Sequence, residues 1–199
     1  MAKLIISLLL LAAPFWQAKA PAEWTDAEVS DMFANSPWAL RIGAPDVRTT
    51  GPTVPAYLAT AGPIQVAERE RERRGRAKAK GKAEFDPFAE EYRAWLEDNS
   101  KSQIILAVRV GNNKAFNDSK ELTELEKNSV MRVGRRKIPM TGYFPPSSGD
   151  PFLRMAFPRE VVLSDKTVRF EIYLPGIGAP FRTVEVKLDT LVVDGKLEL

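Results

Sequence analysis

Residues 166–174 read Lys166-Thr167-Val168-Arg169-Phe170-Glu171-Ile172-Tyr173-Leu174, and residues 183–188 read Thr183-Val184-Glu185-Val186-Lys187-Leu188. In the first stretch Val168, Phe170, Ile172 and Leu174 alternate with Thr167, Arg169, Glu171 and Tyr173. In the second, Val184, Val186 and Leu188 alternate with Thr183, Glu185 and Lys187. A strand sends successive side chains to opposite faces, so a period of two predicts half-buried antiparallel strands with the apolar set inward. Pro175-Gly176 and Gly178-Ala179-Pro180 supply the connection between them. Residues 153–157 predict a further strand, and 191–199 a final one. Asp194-Gly195 inside the last is read as a bulge rather than a tight hairpin, because its flanks are short.

Working outward, Ile104-Ile105-Leu106-Ala107-Val108, with Val110, is an apolar run ending at Gly111, as expected of a buried strand. Residues 130–133 predict another strand, and the Pro/Gly/Ser-rich stretch 139–151 a loop. Helices precede these elements. Thr25 with Glu28 forms a capping box, Trp24 and Val29 occupy the staple positions, and Pro37 stops that helix near Asn35. Asp86-Pro87 opens a second helix. Its Phe88, Tyr92, Trp95 and Leu96 fall on one stripe, which points to core packing rather than an aromatic cofactor box. Asp118 and Glu121 start a short third helix running to about Lys127. The expected fold is α+β: N-terminal helices packed on a C-terminal antiparallel β-sheet or sandwich.

Two segments lack a core pattern. Residues 43–63, rich in Pro and Gly, are expected to be irregular or extended. Residues 68–82 carry eight positive and three negative charges and no apolar anchor stronger than Ala. That run predicts a solvated helix, a linker or a disordered loop.

The chain starts with Met1-Ala2-Lys3, followed by an apolar run from Leu4 to Phe15 broken only by Ser7 and Pro14. The run is too short to cross ~30 Å of hydrocarbon as a helix, and its basic start and small-residue exit suit a cleavable export signal. Ala20-Pro21-Ala22 fits the cleavage rule better than Ala18-Lys19-Ala20, where Pro21 would follow the cut, so the mature chain is expected to begin at Glu23. No Cys follows the run, which excludes a lipoprotein anchor. The organisation read from the sequence is therefore a signal at 1–22, a helix and irregular segment at 23–65, a charged linker or exposed helix at 66–83, and an α+β domain at 84–199. The mature form has no second apolar run long enough for a transmembrane anchor.

Composition excludes more than it includes. The formal charge of +3 falls to near +1 once Lys3 and Lys19 leave with the leader, so no nucleic-acid partner is expected. The chain has no Cys and no His. That removes Ser-His-Asp and Cys-His catalysis, His/Cys metal sites, thiol redox chemistry and haem attachment through Cys. No EF-hand spacing of acids is present either, so no metal and no cofactor is expected, and no residue is assigned as catalytic. Glu90, Glu91, Glu97 and Asp98 are carboxylates on or near the second helix, where they read as its solvent face.

Trp24-Thr25-x-x-Glu28 leading to Ser36-Pro37-Trp38-Ala39, the later Phe157-Pro158-Arg159, and the terminal Gly195-Lys196-Leu197-Glu198-Leu199 resemble a group of uncharacterised exported proteins from acidobacterial genomes. The resemblance implies export and a comparable fold, and no activity. Members of that group carry a less charged, Trp-containing segment where this chain has residues 54–74, so the Glu/Arg run departs from the pattern.

Three places are candidates for binding. Trp38 offers a flat apolar face to a sugar or peptide, or else plugs the core beneath the first helix. Arg73, Arg74 and Arg76 belong to the run that either meets anionic headgroups or cell-wall polymer, or is simply solvated. Leu197 and Leu199 lie in the terminal strand, which at a sheet edge would accept another chain. The function expected is that of an exported, non-enzymatic binding or envelope-assembly protein with a protein or envelope partner. The alternative is a carboxylate-dependent hydrolase of envelope glycan. A hydrolase requires a deep pocket with two facing acids, whereas a binder requires an exposed edge or apolar patch.

Overall fold

The computed structural model describes residues 13–45, 52–79 and 86–199. In chain order the helices are α1 (Phe15–Ala18), α2 (Asp26–Ala34), α3 (Gly62–Lys78), α4 (Pro87–Asn99) and α5 (Ser119–Asn128). The strands are β1 (Ala39–Ile42), β2 (Val54–Leu58), β3 (Gln103–Arg109), β4 (Val130–Val133), β5 (Arg136–Pro139), β6 (Gly142–Phe144), β7 (Phe152–Pro158), β8 (Thr167–Tyr173), β9 (Phe181–Lys187), β10 (Val192–Val193) and β11 (Lys196–Leu197). The fold is α+β, with every sheet antiparallel.

A five-stranded sheet runs β1-β2-β3-β7-β6 and a four-stranded sheet β5-β4-β8-β9. The first strand region bridges them through Gly43 and Thr183. The alternation quoted above comes out with two departures: Val184 is only half-buried, and Tyr173, expected to face outward, is buried. Val168, Phe170, Ile172, Val186, Leu174 and Leu188 are buried, and Phe170 meets Phe157 of the other sheet at 5.4 Å between ring centres. Phe157 and its register partner Ile104 thus face the second sheet, as do Leu106 and Met155. All five residues from Ile104 to Val108 are buried, so the five-stranded sheet is covered on both faces. Its other face carries the helices.

The α2 capping box is formed as read. The Glu28 N–H donates to Thr25 Oγ1 at 3.1 Å, and the Thr25 N–H donates to the Glu28 carboxylate at 2.7 Å. Helices α4 and α5 and strands β3, β4, β7, β8 and β9 also lie where the sequence puts them.

Three expectations change, and one open alternative is decided. Residues 43–63 contain β2, and β1 lies just before them, so the large sheet takes two strands from the N-terminal half. Pro55 is tolerated because only Ala56–Leu58 of β2 pairs with β3. The 139–151 loop contributes β6, a three-residue edge strand. The charged run takes the helical form among those expected, through Lys78, and its residues 80–82 lie outside the described residues. Its start is capped from far away, since the Gly62 N–H donates to the Glu198 carboxylate at 3.0 Å, and a Cβ on Gly62 would lie 2.9 Å from that oxygen. Finally, 191–199 is a hairpin rather than one bulged strand. Val192 pairs with Leu197 and Val193 with Lys196, and Asp194 and Gly195 both take positive φ (49° and 76°). Two successive left-handed residues make the tight turn that Asp-Gly favours, and such a turn needs little flank.

Candidate functional site

Antiparallel register lines up Tyr57, Ala107, Arg154 and Phe144 across β2, β3, β7 and β6. Directly opposed residues share a face, and this row looks toward the helices. Ala107, small and buried between Tyr57 and Arg154, leaves space above the sheet. Helix α2 brings Val29 and Phe33 to that space, α3 brings Glu68 and Arg71, and α4 brings Tyr92 and Leu96. The result is a cleft of about 1100 Å³ between α2/α3 and α4, floored by Tyr57, Phe152 and Arg154.

Glu68 is the acid at its centre. Its Oε1 accepts from the Tyr57 hydroxyl at 2.8 Å and lies 3.9 Å from the Arg154 guanidinium and 4.0 Å from Arg71. Burial pushes its carboxyl above the ordinary range, against the pull of Arg154, Arg71 and the Tyr57 hydroxyl. The same desolvation raises the Tyr57 and Tyr92 phenols, which stay neutral.

Arg154, 7% exposed at its side chain, also donates to Asp150. Its guanidinium lies 4.3 Å over the Tyr92 ring and 5.9 Å from Phe152. Burial opposes its charge, but the phenols, Asp150 and Glu68 around it raise its pKa on balance. Arg71 sits 4.2 Å over Phe33 and 6.0 Å from Phe152. Two groups inside this arrangement, the Tyr92 hydroxyl and Arg154 Nε, are buried without a hydrogen-bond partner of good geometry among the described residues. Buried polar groups are nearly always paired, so these two stand out.

Of the residues singled out from sequence, Trp38 is a core plug. It is 1% exposed, and its indole N–H donates to the Glu198 carbonyl at 2.8 Å. The stacking-platform reading is therefore corrected: no face of Trp38 is open, and Trp16 covers it edge-on at 6.0 Å. Arg73 pairs with Glu70 at 2.9 Å, and Arg76 with Glu72 at 2.6 Å. Arg74, which does line the cleft, is tied to Asp26 at 2.8 Å and to the Trp24 carbonyl. Of these three arginines only Arg74 is drawn into the fold; Arg73 and Arg76 stay exposed in pairs along their own helix. Leu199 is buried and Leu197 half-buried in the terminal hairpin, which joins neither large sheet, so their side chains serve packing there. Glu90, Glu91, Glu97 and Asp98 are exposed on α4, and of these Glu97 reaches the rim of the cleft.

Glu68, Asp150 and Arg154 carried no sequence motif. The available signals were positional. Glu68 and Arg71 follow Ile64 at helical spacing, four and seven residues on, and Arg154 is a lone charge in an apolar strand. Comparison with protein-family models, curated proteins and solved structures finds no match for this chain.

Proposed function

We propose that the protein is exported and acts by binding, with its ligand held in the cleft over Tyr57, Phe152 and Arg154. The observation behind this reading is the cleft itself, a concavity of about 1100 Å³ with an aromatic floor and two buried donors that have no partner among the described residues. Concave apolar sites with a few convergent polar groups are where proteins hold ligands. Export rests on the order of basic start, apolar core and small-residue exit in the leader, together with the resemblance described above. The partner class is a component of the cell envelope, and the binding surface moves from the terminal strand to the helix face of the large sheet.

The test is site-specific photocrosslinking in exporting cells. A photoreactive residue at Glu97, on the rim, captures a partner, and the same residue at Glu185, on the exposed face of β9, does not. Equal capture from both positions, or none from Glu97, overturns the reading.

One observation favours the hydrolase alternative. Glu68 and Asp150 both flank Arg154 in the same cleft, and Glu68 holds its proton to higher pH than an ordinary carboxyl, as a general acid must. Envelope-glycan turnover abolished by Glu68→Gln and unchanged by Glu97→Gln would support it.

A further inference from the structure

We infer that the cleft selects an anionic amphiphile: a ligand with a flat or aliphatic body and a carboxylate, phosphate or sulfonate at one end. The inference rests on the binding reading above and adds the charge and shape of what is bound. The charge follows from which ionic groups are already satisfied. Asp26 is held by Arg74 and by Lys78 at 2.9 Å, and Glu72 by Arg76 and by Arg93 at 2.7 Å. Glu68 and Asp150 are held by Arg154. The cleft's arginines are not all consumed in return. Arg41, Arg69 and Arg109 line it with no ion pair or hydrogen bond among the described residues. Among the described residues Arg71 has one ionic approach, to Glu68 at 4.0 Å, besides lying over the Phe33 and Phe152 rings. Of the remaining acids in the lining, Asp86 accepts from the Ser147 hydroxyl and the Ala89 N–H, and exposed Glu97 has no described cation. The surplus field inside the cleft is therefore positive, and low-dielectric walls strengthen it.

The geometry of the donors fits the same ligand. Stacking on Phe33 fixes the plane of the Arg71 guanidinium, which then offers its N–H fork to an oxyanion. The Tyr92 hydroxyl and Arg154 Nε are donors left over at the base of the site. An acceptor-rich group satisfies them, whereas an ammonium would oppose them. Phe33, Leu40, Tyr57, Leu96 and Phe152 form the apolar wall and floor. A bare inorganic anion would leave that surface wet, so the body of the ligand must be apolar.

The test uses two fluorescent probes of similar shape on the purified full chain. One, 8-anilinonaphthalene-1-sulfonate, is anionic; the other, N-phenyl-1-naphthylamine, is neutral. The anionic probe binds saturably and more tightly than the neutral one. Arg71→Gln weakens the anionic probe by roughly tenfold, the loss expected of one charge-assisted hydrogen bond. It leaves the neutral probe within about twofold. Arg69→Gln gives a smaller effect of the same sign and serves if the first variant does not fold. Dodecanoate displaces the probe if the natural body is aliphatic, and 1-naphthoate displaces it better if the body is aromatic; inorganic phosphate displaces neither probe. If the neutral probe binds as well as the anionic one, or Arg71→Gln weakens both alike, the charge inference fails while a binding cleft survives. If Ala89→Trp, which fills the cleft from α4, leaves probe binding unchanged, the site lies elsewhere and both readings fall.

Discussion

Glu68 shows how one buried side chain makes the whole site pH-dependent. Desolvation raises its folded-state pKa above 4.5, the ordinary value, so the folded protein holds this proton to higher pH than the unfolded chain does. Its contribution to stability is then fully present below about pH 4.5 and is lost as pH rises through the folded-state value. Gln keeps the shape and cannot ionise. Urea unfolding of the natural protein and of Glu68→Gln from pH 4 to pH 7 should show the natural protein losing ground as pH rises; a constant difference would mean that Glu68 titrates as it does in the unfolded chain. On the opposite face of the sheet the relevant term is packing. Phe170 is fully buried between the sheets, and Phe170→Ala should cost roughly 3–5 kcal/mol by chemical denaturation. A cost under about 1 kcal/mol would contradict its burial. The two residues were unequally legible. Phe170 is announced by the period of two around it, because burial of one face imposes that period. Glu68 sits in a run of alternating Glu and Arg, where a carboxylate facing the sheet looks the same as one facing water. Only its partner on a strand distant in sequence, Arg154, makes it different, and that partner follows from tertiary register.

At the scale of elements, the sequence is legible wherever a local rule closes on itself. The Thr25 capping box, the Asp86-Pro87 start and the alternation in β8 all depend on neighbours within a few residues. β1 and β2 are harder to read, because four- and five-residue strands among prolines carry too little pattern, and pairing with β3 supplies what they lack. Residues 68–82 carry no apolar anchor stronger than Ala, yet 68–78 belong to α3, which begins six residues earlier. Ile64 and Ala67 nevertheless bury its first turns, the Glu198 carboxylate caps it, and Arg74 and Lys78 tie its later turns to Asp26. Helix α1 raises a separate question, since it lies inside the segment read as leader. Phe15 meets the Trp24 ring edge-on at 5.4 Å, Trp16 meets Trp38 at 6.0 Å, and Lys19 pairs with Glu28. Aromatic pairs of this kind contribute about 0.5–1.5 kcal/mol each beyond burial. A chain starting at Glu23 should therefore fold but melt below one starting at Pro14, by roughly 2–8 °C for a chain of this size. Its Trp emission should also shift to the red as Trp24 gains solvent. Identical melting and emission would show that α1 contributes nothing to the body. Intact mass of the exported protein then decides which of the two forms the cell makes.

The whole molecule is tied together at its last few residues. Glu198 joins two distant parts of the chain: its carbonyl accepts from the Trp38 indole N–H and its carboxylate caps α3 at Gly62, while neighbouring Lys196 approaches that carboxylate at 3.1 Å. Next to it, Leu199 is buried, and its carbonyl accepts from Arg159 at 2.6 Å. The same guanidinium holds the Ser100 and Gln103 carbonyls at the entry to β3. The terminal hairpin thus fastens the loop before β1, the start of the helix that carries Glu68, and the junction of β3 with β7. If 191–199 were an open edge waiting for a partner, deleting residues 196–199 would abolish binding and leave the fold intact. These contacts predict the reverse. The deletion removes a helix cap of about 1 kcal/mol, a buried Leu of about 2–5 kcal/mol, and the acceptor of the buried Trp38 indole N–H at about 1–3 kcal/mol. Together these are comparable with the whole stability of an ordinary domain, about 5–15 kcal/mol. The truncated chain should therefore melt at least roughly 10 °C lower, or fail to fold, by circular dichroism. The milder variant Glu198→Gln keeps the backbone contacts and should lower the melting point by only a few degrees, roughly, through the α3 cap. A truncated protein that melts within about 3 °C of the natural one, yet no longer captures a partner, would return the binding surface to the terminal strand.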